Sequence, residues 1–260
     1  MDNIYYKKKI YKEEAKFFYS LIKLSIKKKD VILDLGAGPG FLTSLLISKG
    51  FKNVIGIDKI SSGFKENKII QKKFLKNIRM NKNFHFKSIQ SLRSKKKFDV
   101  IILFSVIEHV KNWKRLLLHC LSRLNKGGKI IINCPNYLTF YEPHFSIPII
   151  INKEITYLCF KKYISNFEKK NNYNGMYREL NFININQIIS FVKRKKLDFN
   201  LNNKILEKYF LRTLMDKEFN KRHSNLTIIV KFLIKIGVHK LLKFIPKQFQ
   251  PIIHLEIKKN

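Results

Sequence analysis

Asp34, Gly36, Gly38 and Gly40 occupy alternate positions in the stretch DLGAGPG, between the β-branched run VIL and the helix-periodic FLTSLLISKG. Glycines in a turn from strand to helix let the backbone come close to a ligand, and the first N–H groups of the helix face negative charge. A nucleotide-like cofactor is the expected occupant. The dinucleotide fingerprint requires G-x-G-x-x-G; here Gly36 and Gly38 supply two positions, Phe41 takes the third, and Gly40 is the additional glycine. A carboxylate two residues before the first glycine suits a pyrophosphate poorly, whereas Asp34 suits a ligand bearing an ammonium and a sulfonium. Pro39 is expected in the first helical turn, where its missing N–H costs little.

Two histidines are candidates for proton transfer. His109 closes the run FDVIILFSVIEHV, read as a strand whose end lies on the side where α/β sheets bind ligands. An imidazole there can act as a general base near neutral pH; the plainer alternative is that Glu108 and His109 cap the following helix. His144, in EPHF and two residues from Glu142, begins the segment expected to cover the substrate, either as a base or as a loop-packing histidine. His144, His109 and Glu142 are thus the catalytic candidates. Cys134 lies in a buried strand and reads as a small apolar residue rather than a nucleophile. Cys120, Cys134 and Cys159 have no metal-ligand spacing, so no metal site is expected, and a reducing compartment is the simplest inference.

The surrounding periodicities set these residues on an alternating frame. KEEAKFFYSLIKLSIK, residues 12–27, reads as a lead-in helix with Phe17, Leu21 and Leu24 on one side. VILDLGAGPG and FLTSLLISKG read as strand, tight turn and a helix closed by Gly50; NVIGID is a second buried strand ending in Asp58. The continuous apolar run in FDVIILF implies burial on both faces, as in a parallel sheet. WKRLLLHCLSRL is read as a helix ending at NKGG, and KIIINCPN as the next strand. Alternation lapses beyond Pro135 for about forty residues, longer than an ordinary connection. Helix and strand resume in NINQIISFVKRKKLDFNL, a helical region covers roughly 205–246, and PIIHLEIKK is read as a strand. The expected fold is α/β: a doubly wound, mostly parallel, seven-stranded Rossmann-like sheet with helices on both faces and a helical or irregular insertion after the fifth strand. A single domain is expected over 1–260, with a lead-in at 1–29, a cofactor-binding core at 30–136, a substrate-side insertion at 137–180, and helices and closing strands at 181–260.

Charge gives a weaker signal. Lys and Arg number 53 against 18 Asp and Glu, a formal charge of +35. That balance suggests nucleic acid, an anionic membrane or an acidic substrate, but Lys, Ile, Asn and Phe are abundant everywhere, and a solvated basic surface explains the excess as well. The N-terminal stretch has no apolar core of signal-peptide length, and no uncharged run reaches about 18 residues. A cytoplasmic location is expected.

The acidic-x-Gly-x-Gly-x-Gly pattern of Asp34, Gly36, Gly38 and Gly40 resembles the first motif of class I S-adenosylmethionine-dependent methyltransferases. FDVIILFSVIEHV and LNKGGKIIINCPN are similar to the enzymes of quinone synthesis and of surface-polysaccharide gene clusters, and EPHFSIPI to the latter; Leu197 and Asp198 stand where those usually carry Ala and Gly. The resemblance implies S-adenosyl-L-methionine as cofactor. Asp34 would anchor its methionine part beside Gly36, Ala37, Gly38 and Gly40; Asp58 would take the ribose hydroxyls, next to Lys59. Ser88 and Ile89 would lie by the adenine, and Phe104 and Ser105 would complete the site. A small hydroxylated acceptor such as a sugar or lipid-linked sugar is expected.

A nucleic-acid methyltransferase is the rival that the charge favours, yet the Asn/Asp-Pro-Pro-aromatic signature of amino-methylating enzymes is absent, and FSVIEHV stands in its place. A non-catalytic binding protein on the same fold is a third reading. Within 226–246, Lys231, Lys235, His239 and Lys243 recur every four residues on an otherwise apolar stretch. That narrow stripe reads as a helix mostly buried against the sheet or a second copy, or as a peripheral contact with the inner membrane surface through snorkelling lysines.

Overall fold

A computed structural model describes residues 3–59, 66–76, 78, 82–85, 96–171, 173, 175–222 and 224–259 of the chain. Strands β1 (Ile32–Leu35), β2 (Val54–Ile57), β3 (Phe84–His85), β4 (Phe98–Phe104), β5 (Leu124–Pro135), β8 (Asp198–Leu201) and β9 (Ile252–Lys258) form one sheet in the order β3-β2-β1-β4-β5-β9-β8. The first five pair in parallel and β9 runs antiparallel between β5 and β8. The chain reverses direction of winding between β1 and β4, the crevice where open α/β sheets bind ligands.

Period-two alternation explains why both faces are covered. Leu33, Leu35, Ile55, Ile101, Leu103, Ile130 and Ile132 point to one layer, where Trp113, Leu117 and Cys120 of α4 (Trp113–Ser122) and Ile188, Phe191 and Val192 of α7 (Ile185–Arg194) pack. Ile32, Val54, Val100, Ile102 and Ile131 point to the other, against Ala15, Phe17 and Leu21 of α1 (Asn3–Ile22), Leu42 and Leu46 of α2 (Phe41–Ser48) and Ile205 of α8 (Ile205–Met215). Ile101 is fully buried in the central strand β4, and its truncation to Ala would cost about 2–5 kcal/mol.

Between β5 and α7 the chain forms a small structure of its own. The hairpin β6 (Tyr141–Glu142) and β7 (Ile147–Pro148) leads into α5 (Lys153–Asn171) and the short α6 (Met176–Glu179), around a core of Phe145, Ile147, Ile164, Met176, Tyr177 and Leu180. Two asparagines fasten this segment. Asn136 donates to Gln248 O and Gln250 O and accepts from the Leu138 and Ile185 N–H groups; Asn181 donates to Ile107 O (2.6 Å) and Val110 O (2.9 Å).

Four local expectations are corrected. Helix α1 ends at Ile22, so Leu24 lies beyond it and is exposed rather than packed beside Phe17 and Leu21. Helix α2 starts at Phe41 with Gly40 as its left-handed cap, which leaves Pro39 in the turn before the helix. β4 stops at Phe104, and Ile107–His109 is a 3-10 turn, so His109 follows the strand instead of closing it. The region 205–246 is helical but divided into α8, α9 (Lys217–Arg222), α10 (Ser224–Lys235) and a 3-10 segment at Val238–Phe244.

Candidate active site

A cleft of about 1280 Å³ opens at the carboxyl ends of β1, β2 and β4, lined among others by Asp34, Gly36, Ala37, Gly38, Asp58 and Lys59. Gly36 is left-handed at φ +78°, and a Cβ there would lie 2.3 Å from Val106 Cγ2, so the turn can pass under the β4 end only without a side chain. At Gly38 the nearest atom to an added Cβ is Asn67 Nδ2 at 3.8 Å. The backbone is therefore bare towards the cleft, which is the cradle a ligand needs for close approach. Gly40 backs away from the cleft: its φ is +95° and a Cβ would meet the Phe84 ring at 2.8 Å.

Two carboxylates frame this turn. Asp34 is buried, and its Oδ2 accepts from the Thr43 hydroxyl at 2.7 Å, tying β1 to α2. Burial pushes its pKa up to about 6 against the pull of the Thr43 hydroxyl and N–H. An ionised carboxylate short of counter-charge beside a cleft suits a cationic ligand. Asp58 accepts from the Gly38 N–H at 2.7 Å through Oδ2, and burial, with a smaller push from the Asp34 charge, raises its pKa to about 7 despite that bond. Among the described residues, no donor reaches its Oδ1. Phe104 and Ser105 both line the cleft, and Ser105 holds a left-handed φ of 53° directly after β4, the kind of local strain that a site retains where the chain must turn sharply. Ser88 and Ile89 lie outside the described residues.

Helix α1 supplies a wall that the motif reading did not include. Tyr11, Glu14, Ala15 and Phe18 line the cleft, Tyr11 stacks on Phe41 with centroids 5.9 Å apart, and its hydroxyl donates to Asn67 Oδ1 at 3.3 Å. Their spacing of three, four and seven is one helical face; the aromatic and polar residues on it were the available signal.

The other end of the cleft is polar and charged. His109 and His144 line it, with their rings edge to face and centroids 5.1 Å apart. Glu142 is fully buried and does not line the cleft. It accepts from His144 Nδ1 at 2.7 Å, the His144 N–H, the Tyr137 hydroxyl and, through Oε2, the Phe145 N–H. Four donors keep it anchored as a positioning residue for His144. Burial lowers the His144 pKa, but the hydrogen bond to Glu142 and the charges of Glu142 and Glu108 outweigh it and leave the imidazole above its ordinary value. His109 is pushed the other way, down to about 3, by burial and then by the charge of His144. It is neutral wherever the protein is folded at ordinary pH.

Glu108 and His109 do not cap α4; Asn112 does, accepting from the Arg115 N–H. Glu108 is fully buried, neither carboxylate oxygen has a hydrogen-bond partner among the described residues, and burial raises its pKa to about 7. Cys134 is buried with its thiol pKa pushed well up by burial, as an inert core residue would be. Lys111, Lys153, Arg178 and Glu179 complete the rim of this end.

A family model described as a methyltransferase domain matches residues 9–198. With the strand order and glycine turn above, the chain belongs to the class I, S-adenosylmethionine-dependent methyltransferases. A Mycobacterium tuberculosis protein of uncharacterised function is 26% identical over 231 residues, covering 88% of this chain and 78% of its own. The ubiquinone biosynthesis O-methyltransferase of Rickettsia typhi is 32% identical over 122 residues, 45% of this chain and 48% of that protein. Among solved structures, the plantazolicin methyltransferase BpumL, in complex with a triazolic desmethylPZN analog and SAH, has a TM-score of 0.52 at 19% identity, with 96% and 85% coverage. The Haemonchus contortus phosphoethanolamine N-methyltransferase 2 with S-adenosyl-L-methionine has a TM-score of 0.54 at 16% identity, covering 94% of this chain and 52% of that one. These two establish likeness of fold.

Proposed function

We propose that the protein methylates a hydroxyl group of a small metabolite, a sugar or lipid-linked sugar, with His144 taking the hydroxyl proton. The observation that carries this reading is His144 on the cleft wall backed by the buried Glu142: with Nδ1 directed to Glu142, Nε2 is the nitrogen available to accept a proton.

When bound, S-adenosylmethionine supplies an activated methyl group on a sulfonium. The residues that would hold it are Gly36, Ala37 and Gly38, whose backbone borders the cleft, with Asp34 for its ammonium, Asp58 for its ribose hydroxyls, and Lys59, Phe104, Ser105 and Tyr11 as further walls. Alignment supplies much of the rate of methyl transfer, so the work left to this chain is to orient the acceptor and remove one proton. His144 would do the second: as the carbon–sulfur bond of the sulfonium breaks to leave the neutral thioether and the acceptor oxygen takes the methyl carbon, the hydroxyl proton would pass to Nε2, and Glu142 would stabilise the imidazolium through the Nδ1–H bond. His109, held neutral, orients the acceptor alongside. The basic rim of Lys111, Lys153 and Arg178 supports an acceptor that carries phosphate, as nucleotide sugars and lipid-linked sugars do.

Transfer of label from [methyl-³H]S-adenosylmethionine to a panel of nucleotide and lipid-linked sugars tests the reading. An alkali-stable O-methyl sugar formed by the wild type and lost in His144→Ala supports it. Labelling of an amine or of RNA bases by the same preparation, with sugars untouched, would replace it.

A further inference from the structure

We infer that the surface formed by α10 and the 3-10 segments after it docks on an anionic lipid surface. Ile228, Ile229 and Phe232 of α10, with Ile236 directly after its last residue, fall within about 100° of one another on the helical wheel. They are exposed, Ile228 by 75% and Phe232 by 60%, while Thr227 faces the protein and is buried. The helix lies on α8 and the following 3-10 segment, and its apolar arc is turned away from both core layers. Leu241 and Phe244 of that segment, and Phe249 of the next turn (Lys247–Phe249), extend the apolar area, with Phe244 exposed by 71%. Of the coverings expected for the lysine-striped segment, packing of this face against the sheet is thereby corrected. The stripe is also interrupted: α10 ends at Lys235, and His239 and Lys243 lie beyond the left-handed Gly237.

What should cover such an area follows from its charge. From residue 219 to residue 255 the sequence contains seven Lys or Arg and no Asp or Glu. Lys231 and Lys235 flank one edge of the apolar arc, and Lys240, Lys243 and Lys247 are exposed among Leu241, Phe244 and Phe249. Among the described residues, none of these five lysines forms an ion pair with a carboxylate of this chain. Pairing two copies through this face would set lysine against lysine. A nucleic acid would be met by lysines but would leave the aliphatic Ile228, Ile229 and Ile236 without a partner. A membrane containing acidic lipid satisfies both components, since apolar side chains enter the acyl boundary while lysines stay at the headgroups. No helix among the described residues is long and apolar enough to cross a membrane, so the contact is peripheral. It stands apart from the acceptor proposed above.

Co-sedimentation of the full chain with vesicles tests this. Vesicles of phosphatidylcholine with one-third phosphatidylglycerol are expected to bind at least about tenfold more protein than pure phosphatidylcholine, and binding should fall as salt screens the lysines. Phe232→Ser with Ile236→Ser should lose about tenfold or more of the partition. Lys231→Gln with Lys235→Gln should lose about fivefold per lysine. Lys195→Gln with Lys196→Gln, which changes charge equally at the end of α7, should bind as the wild type. Circular dichroism melts identify any variant that fails to fold, and the lysine pair then carries the comparison alone. Three results would overturn the inference: equal binding to neutral and acidic vesicles, equal loss in both lysine pairs, or a solution dimer that Phe232→Ser converts to monomer.

Discussion

The end of the cleft proposed for the cofactor is bordered by bare backbone and two carboxylates, Gly36 and Gly38 beside Asp34 and Asp58, whereas the end proposed for the acceptor is bordered by side chains, His109, His144, Lys111, Lys153 and Arg178. The first is built on the sheet: the turn follows β1 directly, and Asp58 follows β2 with Gly38 as its donor. The second is assembled from separate parts of the chain, the 3-10 turn after β4 and the segment between β5 and α7, joined by Asn181, while the buried Glu142 holds His144 within that segment. Backbone geometry leaves little freedom in which ligand it fits; a side-chain wall on an inserted segment can be rebuilt without disturbing the sheet. Such a division lets one fold keep its cofactor while its acceptor varies.

Substitutions on the two ends should separate along this line. His144→Ala is expected to have the largest effect, lowering kcat by about 10²–10⁴ as loss of a general base does, with S-adenosylhomocysteine affinity unchanged by calorimetry. A parallel loss of affinity would mean that the two ends are not independent. Gly36→Ala should act on the opposite end: left-handed strain plus the 2.3 Å encounter with Val106 is expected to cost about 2–4 kcal/mol, read as weaker cofactor binding or a lower melting temperature. Glu142→Gln should do less, because the amide oxygen can still accept from one of the two loop N–H groups, although its NH2 then faces the other without accepting from it. It removes the charge that raises the His144 pKa, so the limb of the pH–rate profile over which activity rises with deprotonation should move to lower pH. An unmoved limb would assign that ionisation to another group.

The same division governs how much could be read from sequence. The glycine turn and the sheet that carries it were legible because their pattern is local: DLGAGPG combines the acid and the glycines within seven residues, and the period-two strands around it declare a doubly covered sheet. The acceptor end was only half legible. His144 and Glu142 are neighbours in sequence, but their meeting with His109 depends on Asn181, which is 72 residues from His109 and fastens to the turn that holds it. The wall from α1 was missed for a similar reason. Tyr11 meets Asn67 across 56 residues, and nothing in the local pattern distinguishes a helix face that closes a cleft from one that only packs. The exposure of α10 within this chain was not legible, because a stripe of lysines reports which side is polar and not whether the apolar side has found a partner.

The most direct test of the central claim, a cofactor end that binds through its backbone turn and Asp58, is calorimetric titration of S-adenosylhomocysteine into the wild type and Asp58→Ala between about pH 6 and about pH 8. Hydroxyl donors favour the ionised carboxylate, and the Asp58 pKa lies at about 7. Wild-type affinity is therefore expected to rise with pH through that value, by up to about tenfold per unit below it. The variant is expected to bind about 1.5–3 kcal/mol more weakly, with the part of that pH dependence centred at about 7 lost and only the Asp34 part, centred at about 6, remaining. Equal affinity in both proteins, or no binding by a folded wild type, would contradict the account.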